Sequence, residues 1–306
     1  MNLCRTFLGE NAMTFHDKLK ERKILVSDGA WGTELAKKGF GGGRCPELLN
    51  VDEPDVIREL ARSYVEAGSD IILTNTFGGN PFKLNRYGVA DRLEELNEAG
   101  VRLSKEAAGD RTLVFASIGP SGEFIAPLGE VTTDEMTAAF ARQVRAMIRC
   151  GADGIVIESM TDLGEIVCAL KASKENSDLP VVCSMTFDKG LKGYATIMGV
   201  RPDEAARTLE AAGADAVGSN CGWGIEEIID VARIMRPVTK GPLWFKPNAG
   251  MPELVNGMTV YRHTPEFMAA RAAALLDAGA SIIGGCCGST PDHIRKIREV
   301  VDSRIK

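Results

Sequence analysis

The stretch that decides the fold is Cys150-Gly151-Ala152-Asp153-Gly154-Ile155-Val156, in which a turn of small residues leads directly into an apolar run. Three other stretches repeat this pattern: Glu66-Ala67-Gly68-Ser69-Asp70-Ile71-Ile72, Ala211-Ala212-Gly213-Ala214-Asp215-Ala216-Val217 and Asp277-Ala278-Gly279-Ala280-Ser281-Ile282-Ile283. Each glycine suits the C-cap of a helix, because glycine adopts the left-handed conformation without steric cost. Each copy therefore predicts the end of a helix followed at once by a strand.

Short apolar runs recur along the whole chain, with longer segments of helical spacing between them. The runs cover residues 24–26, 71–73, 113–116, 155–157, 181–185, 216–218, 243–245 and 281–283. Continuous apolar runs are typical of strands that are covered on both faces, as in a parallel sheet. The repeated turn precedes the second, fourth, sixth and eighth run. The sequence therefore predicts an α/β protein, a single (β/α)8 TIM-type barrel.

Composition excludes several classes of function. The chain has 306 residues, of which 44% are hydrophobic and 25% charged, as in an ordinary soluble domain. Its formal net charge of -6 gives no support to a nucleic-acid surface. No apolar run approaches the roughly 20 residues that span a bilayer. The chain is therefore expected to bind neither nucleic acid nor membrane.

The domain organisation follows from the same pattern. We expect residues 1–22 to form an N-terminal extension with a first helical segment, and residues 23–306 to form the barrel. Residues 39–43 and 248–259 are interpreted as loops inside that one domain. Residues 1–13 are too weakly apolar for a signal peptide. The eight cysteines lack the spacing of a disulfide framework, which predicts a reducing compartment and hence a cytoplasmic location.

Polar residues are expected to matter where they end the predicted strands, because barrel enzymes carry their chemistry at that face. Asn220-Cys221 follows the sixth strand and Cys286-Cys287 follows the eighth. Three cysteine ligands with an open fourth position are typical of a catalytic zinc, whereas four protein ligands indicate a structural one. From the residues alone, a structural zinc site with His293 as its fourth ligand remains an alternative. The remaining cysteines are interpreted as core or incidental thiols: Cys4, Cys45, Cys150, Cys168 and Cys183.

Several motifs carry a resemblance to a known family. Asp28-Gly29-Ala30-Trp31-Gly32-Thr33-Glu34 resembles the opening of the homocysteine S-methyltransferase family. Its later motifs are matched in order by Thr74-Asn75-Thr76-Phe77, Gly218-Ser219-Asn220-Cys221, Pro247-Asn248-Ala249-Gly250 and residues 284–290. The likeness runs from about residue 23 to residue 301. It is greatest with the homocysteine-binding module of cobalamin-dependent methionine synthase.

The resemblance implies an activity and a set of site residues. It implies a zinc-dependent methyltransferase that methylates the thiol of homocysteine to give methionine, with Cys221, Cys286 and Cys287 as metal ligands that act in catalysis through the zinc. Glu158 would receive the substrate ammonium, and backbone N–H groups near Ala30 and Trp31 would receive its carboxylate. The full set of implied substrate contacts is Asp28, Ala30, Trp31, Thr76, Glu158 and Asn220.

The methyl donor is the least determined part of this hypothesis. The sequence ends at Lys306 without a pterin or cobalamin domain, and both Ser159 and residues 193–199 depart from the pattern of methionine synthase. We expect a methyl-corrinoid as donor, either free methylcobalamin or methylcobalamin on a separate corrinoid protein. The alternatives are S-methylmethionine or a betaine-like compound as donor. A non-catalytic zinc- and thiol-binding partner of a corrinoid protein is a further alternative.

Overall fold

The computed structural model describes residues 13–255 and 257–305. Its strands are β1 (Leu25–Val26), β2 (Ile71–Leu73), β3 (Leu113–Ile118), β4 (Gly154–Met160), β5 (Val181–Met185), β6 (Asp188–Gly190), β7 (Gly193–Ala195), β8 (Ala216–Asn220), β9 (Leu243–Lys246), β10 (Glu253–Val255), β11 (Met258–Val260) and β12 (Ile282–Ile283). Its α-helices are α1 (Phe15–Arg22), α2 (Gly32–Lys37), α3 (Leu49–Asp52), α4 (Pro54–Glu66), α5 (Pro81–Arg86), α6 (Leu93–Ala108), α7 (Thr133–Ile148), α8 (Leu163–Asn176), α9 (Pro202–Ala211), α10 (Ile225–Met235), α11 (Pro265–Asp277) and α12 (Pro291–Arg304).

The eight predicted strands form one parallel sheet that curls almost completely into a barrel. The strand order is β1-β12-β9-β8-β5-β4-β3-β2. A single parallel bridge between Ser27 and Ile71 joins the two edge strands. The predicted (β/α)8 barrel is thereby confirmed. Because all eight strands run in the same direction, the segments that follow them meet at one end of the barrel.

The repeated turn has the conformation that its glycines predict. Gly68, Gly151, Gly213 and Gly279 have φ angles of 95°, 81°, 96° and 104°. The polar residue two positions later accepts a hydrogen bond from the backbone of the preceding barrel strand. These bonds are Val26 N to Asp70 at 2.9 Å, Val114 N to Asp153 at 2.7 Å, Val181 N to Asp215 at 2.7 Å and Leu243 N to Ser281 at 3.4 Å. The repeat therefore ties each even-numbered barrel strand to its neighbour.

Helix α1 closes the end of the barrel at which the strands begin. The Phe15 side chain is 1% exposed and packs with the apolar residues of the barrel interior. Its ring centroid lies 5.4 Å from that of Phe115, which in turn stacks on Trp244 at 6.2 Å. Lys18 donates hydrogen bonds to the backbone carbonyls of Asp70 and Arg111. The helical part of the expected extension, α1, thus covers the end of the barrel at which the strands begin, and we call it the floor. Residues 1–12 lie outside the described residues.

One loop expectation was wrong. Residues 253–255 and 258–260, which overlap the segment predicted as a loop, form the antiparallel hairpin of β10 and β11. A second hairpin, β6 with β7, follows β5. Both are short, and β6 and most of β10 are exposed, so they lack the apolar signal by which the barrel strands were found. None of the described helices has the length and apolar character needed to cross a membrane.

We predict that the floor contributes strongly to stability. Replacing Phe15 by Ala should lower the free energy of unfolding by about 3–5 kcal/mol, because it removes a fully buried aromatic ring and leaves a cavity. Chemical denaturation would measure the loss. Lys20→Ala, an exposed change in the same helix, is the matched control and should stay within about 0.5 kcal/mol of the parent. Equal stability of the Phe15 variant and the parent would contradict this role.

Candidate active site

A cavity of about 420 Å³ opens at the end of the barrel where the strands finish. Its walls come from the segments after β1, β2, β8 and β12 and from residues near the ends of β2, β3, β4 and β9. Most of this lining is apolar or backbone. The few side chains with chemistry are the thiols of Cys221, Cys286 and Cys287, the carboxylates of Glu47 and Glu158, and the ammonium groups of Lys83 and Lys246.

The three predicted thiols converge on one wall of this cavity. Their Sγ atoms all lie within 4.8 Å of one another, and those of Cys221 and Cys287 are 3.8 Å apart. In the part of the chain that the structure describes, this is the one cluster of histidine, cysteine and acidic side chains that could hold a metal ion. All three residues are partly exposed, so an ion held there would be reachable from the cavity.

Cys221 is held in an uncommon backbone conformation. It follows β8 directly and has a φ of 61°, in the left-handed region that residues other than Gly, Asn and Asp rarely adopt. Its N–H donates to the carbonyl of Lys246 on the neighbouring strand at 3.2 Å. This conformation turns the chain sharply at the end of β8, where Cys221 meets the turn of Cys286 and Cys287.

The pKa values of the three thiols are raised above the ordinary range. For Cys221, the contact with Cys286 lowers the pKa, but the contact with Cys287 and burial together raise it to about 12. The contact of Cys286 with Cys221 and its burial raise the pKa of Cys286. Thiols that resist ionisation are poor nucleophiles and poor metal ligands as long as they keep their protons. A cation bound among them would favour the thiolate form, because a coordinating thiol is deprotonated outright.

Two side chains adjoin these sulfurs. The Asn220 side chain donates to Ser159 Oγ at 2.7 Å and approaches Cys286 Sγ at 3.7 Å. Its carbonyl oxygen accepts from Ser159 N at 2.8 Å and from Ser184 Oγ at 2.7 Å. Tyr261 lies close enough to Cys287 for the two side chains to affect each other's pKa, and burial together with this thiol raises the pKa of Tyr261. Asn220 is thus a buried support behind Cys286, while Tyr261 is a neighbour of Cys287.

His293 does not complete the cluster. Thr290 N donates to its Nδ1 at 3.1 Å, so its Nε2 carries the proton and donates to the carbonyl of His263 at 2.9 Å. Both ring nitrogens are therefore in use at the start of α12. The residue is 5% exposed, contrary to a surface position, and burial lowers its pKa so that the ring stays neutral. A closed site with His293 as fourth ligand is not formed in this structure.

Glu158 presents a carboxylate to the cavity. Ser117 Oγ donates to its Oε1 at 2.7 Å, whereas its Oε2 has no hydrogen bond among residues 13–255 and 257–305. Burial raises the pKa of this carboxyl, although the nearby ammonium of Lys246 and the bond from Ser117 lower it. A carboxylate with one oxygen held and the other free is suited to receive a positively charged group from a ligand.

Asp28 lies behind the cavity wall and is fully buried. Its Oδ1 accepts from Lys246 Nζ at 2.6 Å. Its Oδ2 accepts from Trp31 Nε1 at 2.8 Å and from Leu73 N at 2.7 Å. Both oxygens are therefore engaged inside the protein, and Asp28 does not line the cavity as the described residues form it.

The remaining predicted contacts divide in the same way. Ala30 and Trp31 line the cavity, but the N–H of Ala30 already donates to Ser289 Oγ at 3.2 Å. Thr76 is fully buried and donates to the carbonyl of Ser117 at 2.8 Å, so its neighbours Thr74 and Asn75 line the cavity in its place. The prediction named Thr76 itself, which does not line the cavity that the described residues form.

Sequence reasoning missed one charged residue of the site, Lys246. Lys246 closes the apolar run of β9, and only 2% of its side chain is exposed. A charged residue at the C-terminal end of an apolar barrel strand is the signal that would have identified it. Tyr261 carried no comparable signal, because it follows a hairpin that the sequence did not predict.

The other cysteines lie elsewhere. Cys45, Cys168 and Cys183 are free and buried, as expected of core thiols. Cys150 is an exception, since it is disulfide-bonded. The expectation for Cys4 lies outside the described residues.

Known proteins share both the sequence and the fold. A family profile described as homocysteine S-methyltransferase matches residues 25–301. The methionine synthases of Mycobacterium leprae and Mycobacterium tuberculosis are 31% and 32% identical over 92% and 93% of this chain. The chain spans about a quarter of the length of these relatives, 24% and 25%.

A solved structure extends the comparison. The metallated form of the homocysteine methyltransferase MmuM from Escherichia coli superposes with a TM-score of 0.77, covers 92% of this chain and 98% of its own, and is 23% identical. At that sequence identity, the superposition shows a shared fold. The profile match, which covers most of the barrel, speaks for the family: this chain is a member of the homocysteine S-methyltransferase family of methyltransferase enzymes.

Proposed function

We propose that this protein transfers a methyl group to the thiol of homocysteine, giving methionine, with a zinc ion held by Cys221, Cys286 and Cys287. The observation that carries the proposal is the convergence of three thiols on one wall of a cavity that also contains the half-free carboxylate of Glu158. One pocket thus contains a group for the acceptor sulfur, the cysteine cluster, and a group for the amino-acid ammonium, Glu158. The proposed metal would be catalytic, because the described residues supply three ligands and no fourth.

The cysteine geometry fits zinc. Zinc bonds thiolate sulfur at about 2.3 Å, so a tetrahedral site holds its sulfurs roughly 3.8 Å apart. The Cys221 and Cys287 sulfurs are separated by 3.8 Å before any ion is present. Once bound, the ion would keep the acceptor sulfur as a thiolate and hold it in place.

The protein side chains would do the remaining work. Asn220 holds the sulfur of Cys286 in position. Glu158 would bind the ammonium of homocysteine through its free oxygen. The partly exposed cysteines leave the acceptor sulfur open to a methyl group that arrives from the cavity mouth.

For the methyl donor we propose a methyl-corrinoid, free or carried by a separate protein. Exposed apolar side chains surround the cavity end, in segments that connect a barrel strand to the next barrel helix: Tyr87, Phe124, Leu128, Leu191, Ile197, Met251 and Leu254. Exposed apolar groups at the rim of a site favour contact with a large partner over a small soluble donor. The donor would then reach the thiols from above the barrel.

A betaine-like or S-methylmethionine donor is the second candidate, and one observation favours it. Trp31, Phe77 and Tyr87 line the cavity and give it aromatic surface. Cation–π binding of an onium group needs such surface. However, the ammonium of Lys83 already lies 5.1 Å from the centroid of Phe77 and would repel a second cation there.

Zinc retention should depend on the clustered cysteines. Cys286→Ser and Cys287→Ser should each lose most of the bound zinc, and the double variant should retain none, because a hydroxyl is a far weaker zinc ligand than a thiolate. Metal content after dialysis would measure this. Cys168→Ser, which changes a free cysteine in α8, is the control and should keep the parent stoichiometry. Full occupancy of the double variant would refute the assignment.

Glu158→Gln should weaken homocysteine binding by about 1.5–3 kcal/mol, the range for a hydrogen bond to a charged group. Calorimetric titration would measure the loss. 4-Mercaptobutyrate, which lacks the amino group, should bind the variant and the parent alike. As pH falls, protonation of Glu158 should remove the preference of the parent for homocysteine over 4-mercaptobutyrate. Because the pKa of Glu158 is raised, this loss should occur at a higher pH than for an ordinary glutamate. Equal losses for both thiols would mean that Glu158 acts through the fold.

The donor can be identified by turnover. Under anaerobic conditions, mixing the zinc-loaded protein with methylcobalamin and homocysteine should produce the cob(I)alamin spectrum together with methionine. The Cys286→Ser, Cys287→Ser variant is the negative control. If neither product forms while S-methylmethionine or a betaine supports turnover, the onium donor replaces the corrinoid. If no donor supports turnover, the alternative of a zinc- and thiol-binding partner protein gains the advantage.

A further inference from the structure

The cavity contains a buried cation for which the proposed reaction has no use so far. Lys246 is the last residue of β9, its side chain is 2% exposed, and it lines the cavity together with Cys286 and Glu158. A buried lysine is rare unless it is paired, because moving an ammonium group out of water is costly. Its partner is Asp28, whose carboxylate is fully buried behind it.

Asp28 holds this ammonium group without saturating it. The bond from Lys246 Nζ to Asp28 Oδ1 is 2.6 Å long, and Trp31 and Leu73 occupy the other oxygen of Asp28. An ammonium group has three N–H donors. Among the residues that the structure describes, Asp28 is the one hydrogen-bond partner of Lys246 Nζ. Two donors therefore remain for a ligand in the cavity.

Lys246 is paired with one carboxylate and shares the cavity with another. Its Nζ lies 2.6 Å from Asp28 Oδ1, and Glu158 lines the same cavity. The second cation of the cavity, Lys83, has a different setting. Its charged neighbours are Glu47, Arg86 and Glu165, and none of them is a thiol of the cluster. Lys246 is thus the cation that shares its surroundings with the thiols.

We propose that Lys246 binds the carboxylate of the acceptor thiol and so selects amino-acid thiols over simple thiols. The inference rests on the proposed function for the identity of the acceptor. The pocket would then bind all three groups of the substrate: the sulfur at the cysteine cluster, the ammonium at Glu158, and the carboxylate at Lys246 together with the backbone N–H expected near Trp31. Without Lys246, the carboxylates and metal-bound thiolates of the site would repel a negatively charged acceptor.

Asp28 takes the part of a positioning residue in this arrangement. Its four acceptor contacts, the weakest from Ser27 Oγ at 3.3 Å, leave no free lone pair for a substrate ammonium. Its charge instead keeps the Lys246 side chain protonated and directed along the inner wall. The acidic contribution predicted for Asp28 would therefore reach the substrate through Lys246.

The test compares two acceptors by calorimetric titration. Homocysteine carries the carboxylate, and 3-aminopropanethiol is the same chain without it. The parent should bind homocysteine more tightly. Lys246→Met should weaken homocysteine binding on the order of 10- to 100-fold, as expected for loss of a charged hydrogen bond, and leave 3-aminopropanethiol within about twofold. Equal effects on both acceptors, or no effect on either, would overturn the proposal.

Two further variants protect the result against a folding artefact. Lys246→Met leaves Asp28 buried and unpaired, so the double variant Asp28→Asn, Lys246→Met removes both charges and should show the same carboxylate-specific loss. Lys18→Met removes a buried lysine at the opposite end of the barrel and should change the affinity for neither acceptor. A carboxylate-specific loss in Lys83→Met instead of Lys246→Met would move the subsite to α5 and refute the assignment.

The outcome separates this inference from the proposed function. If the protein binds homocysteine with the expected dependence on Lys246 but no donor supports methyl transfer, the subsite stands and the reaction fails. If methionine forms while Lys246→Met treats both acceptors alike, the reaction stands and the subsite fails. A parent protein that binds both acceptors equally well also overturns the subsite.

Discussion

The rest of the structure depends on the hydrogen bond that each repeated turn makes at the start of a strand. Asp70, Asp153 and Asp215 each accept from the backbone of the preceding barrel strand. Each carboxylate also pairs with cations, such as Arg298 at Asp70 and Lys105 at Asp153. These contacts fix the register of neighbouring strands at the closed end of the barrel. Since strand lengths then determine where each strand finishes, the register also decides which residues meet at the open end.

The two ends of the barrel therefore treat charge in opposite ways. At the closed end, Asp70 is surrounded by Lys18, Arg22 and Arg298 beneath the barrel. At the open end, Asp28 is satisfied within the protein, but its partner Lys246 lines a cavity and has donors to spare. A buried ion pair can stabilise a fold, whereas one whose cation lines a cavity can also bind a ligand. The difference between the ends is thus one of access to a ligand, and not of charge alone.

The sequence predicted those features that repeat or that end an apolar run. The repeated turn and the apolar runs carry the barrel, and the position of Cys221, Cys286 and Cys287 after strands carries the thiol cluster. The orientation of individual side chains was beyond this reasoning. Thr76 and its neighbour Asn75 follow the same strand, and only the local backbone decides that Asn75 lines the cavity.

Pairing between distant residues was equally hidden. Asp28 and Lys246 are 218 residues apart, so nothing local to either residue indicated that each neutralises the other. The hairpin of β10 and β11 was missed for a different reason. Strand β10 is mostly exposed, and exposed strands lack the continuous apolar character that identifies buried ones. Buried strands can be predicted from the sequence because they carry continuous apolar runs.

The backbone at Cys221 has a consequence for any attempt to engineer this barrel. A left-handed conformation costs a residue with a side chain roughly 1–2 kcal/mol, and glycine would occupy the same position without that cost. Cysteine at this position therefore lowers the stability of the fold while supplying a sulfur. A library screened for heat resistance alone would enrich glycine at position 221, and its best survivors would be barrels that had lost their chemistry.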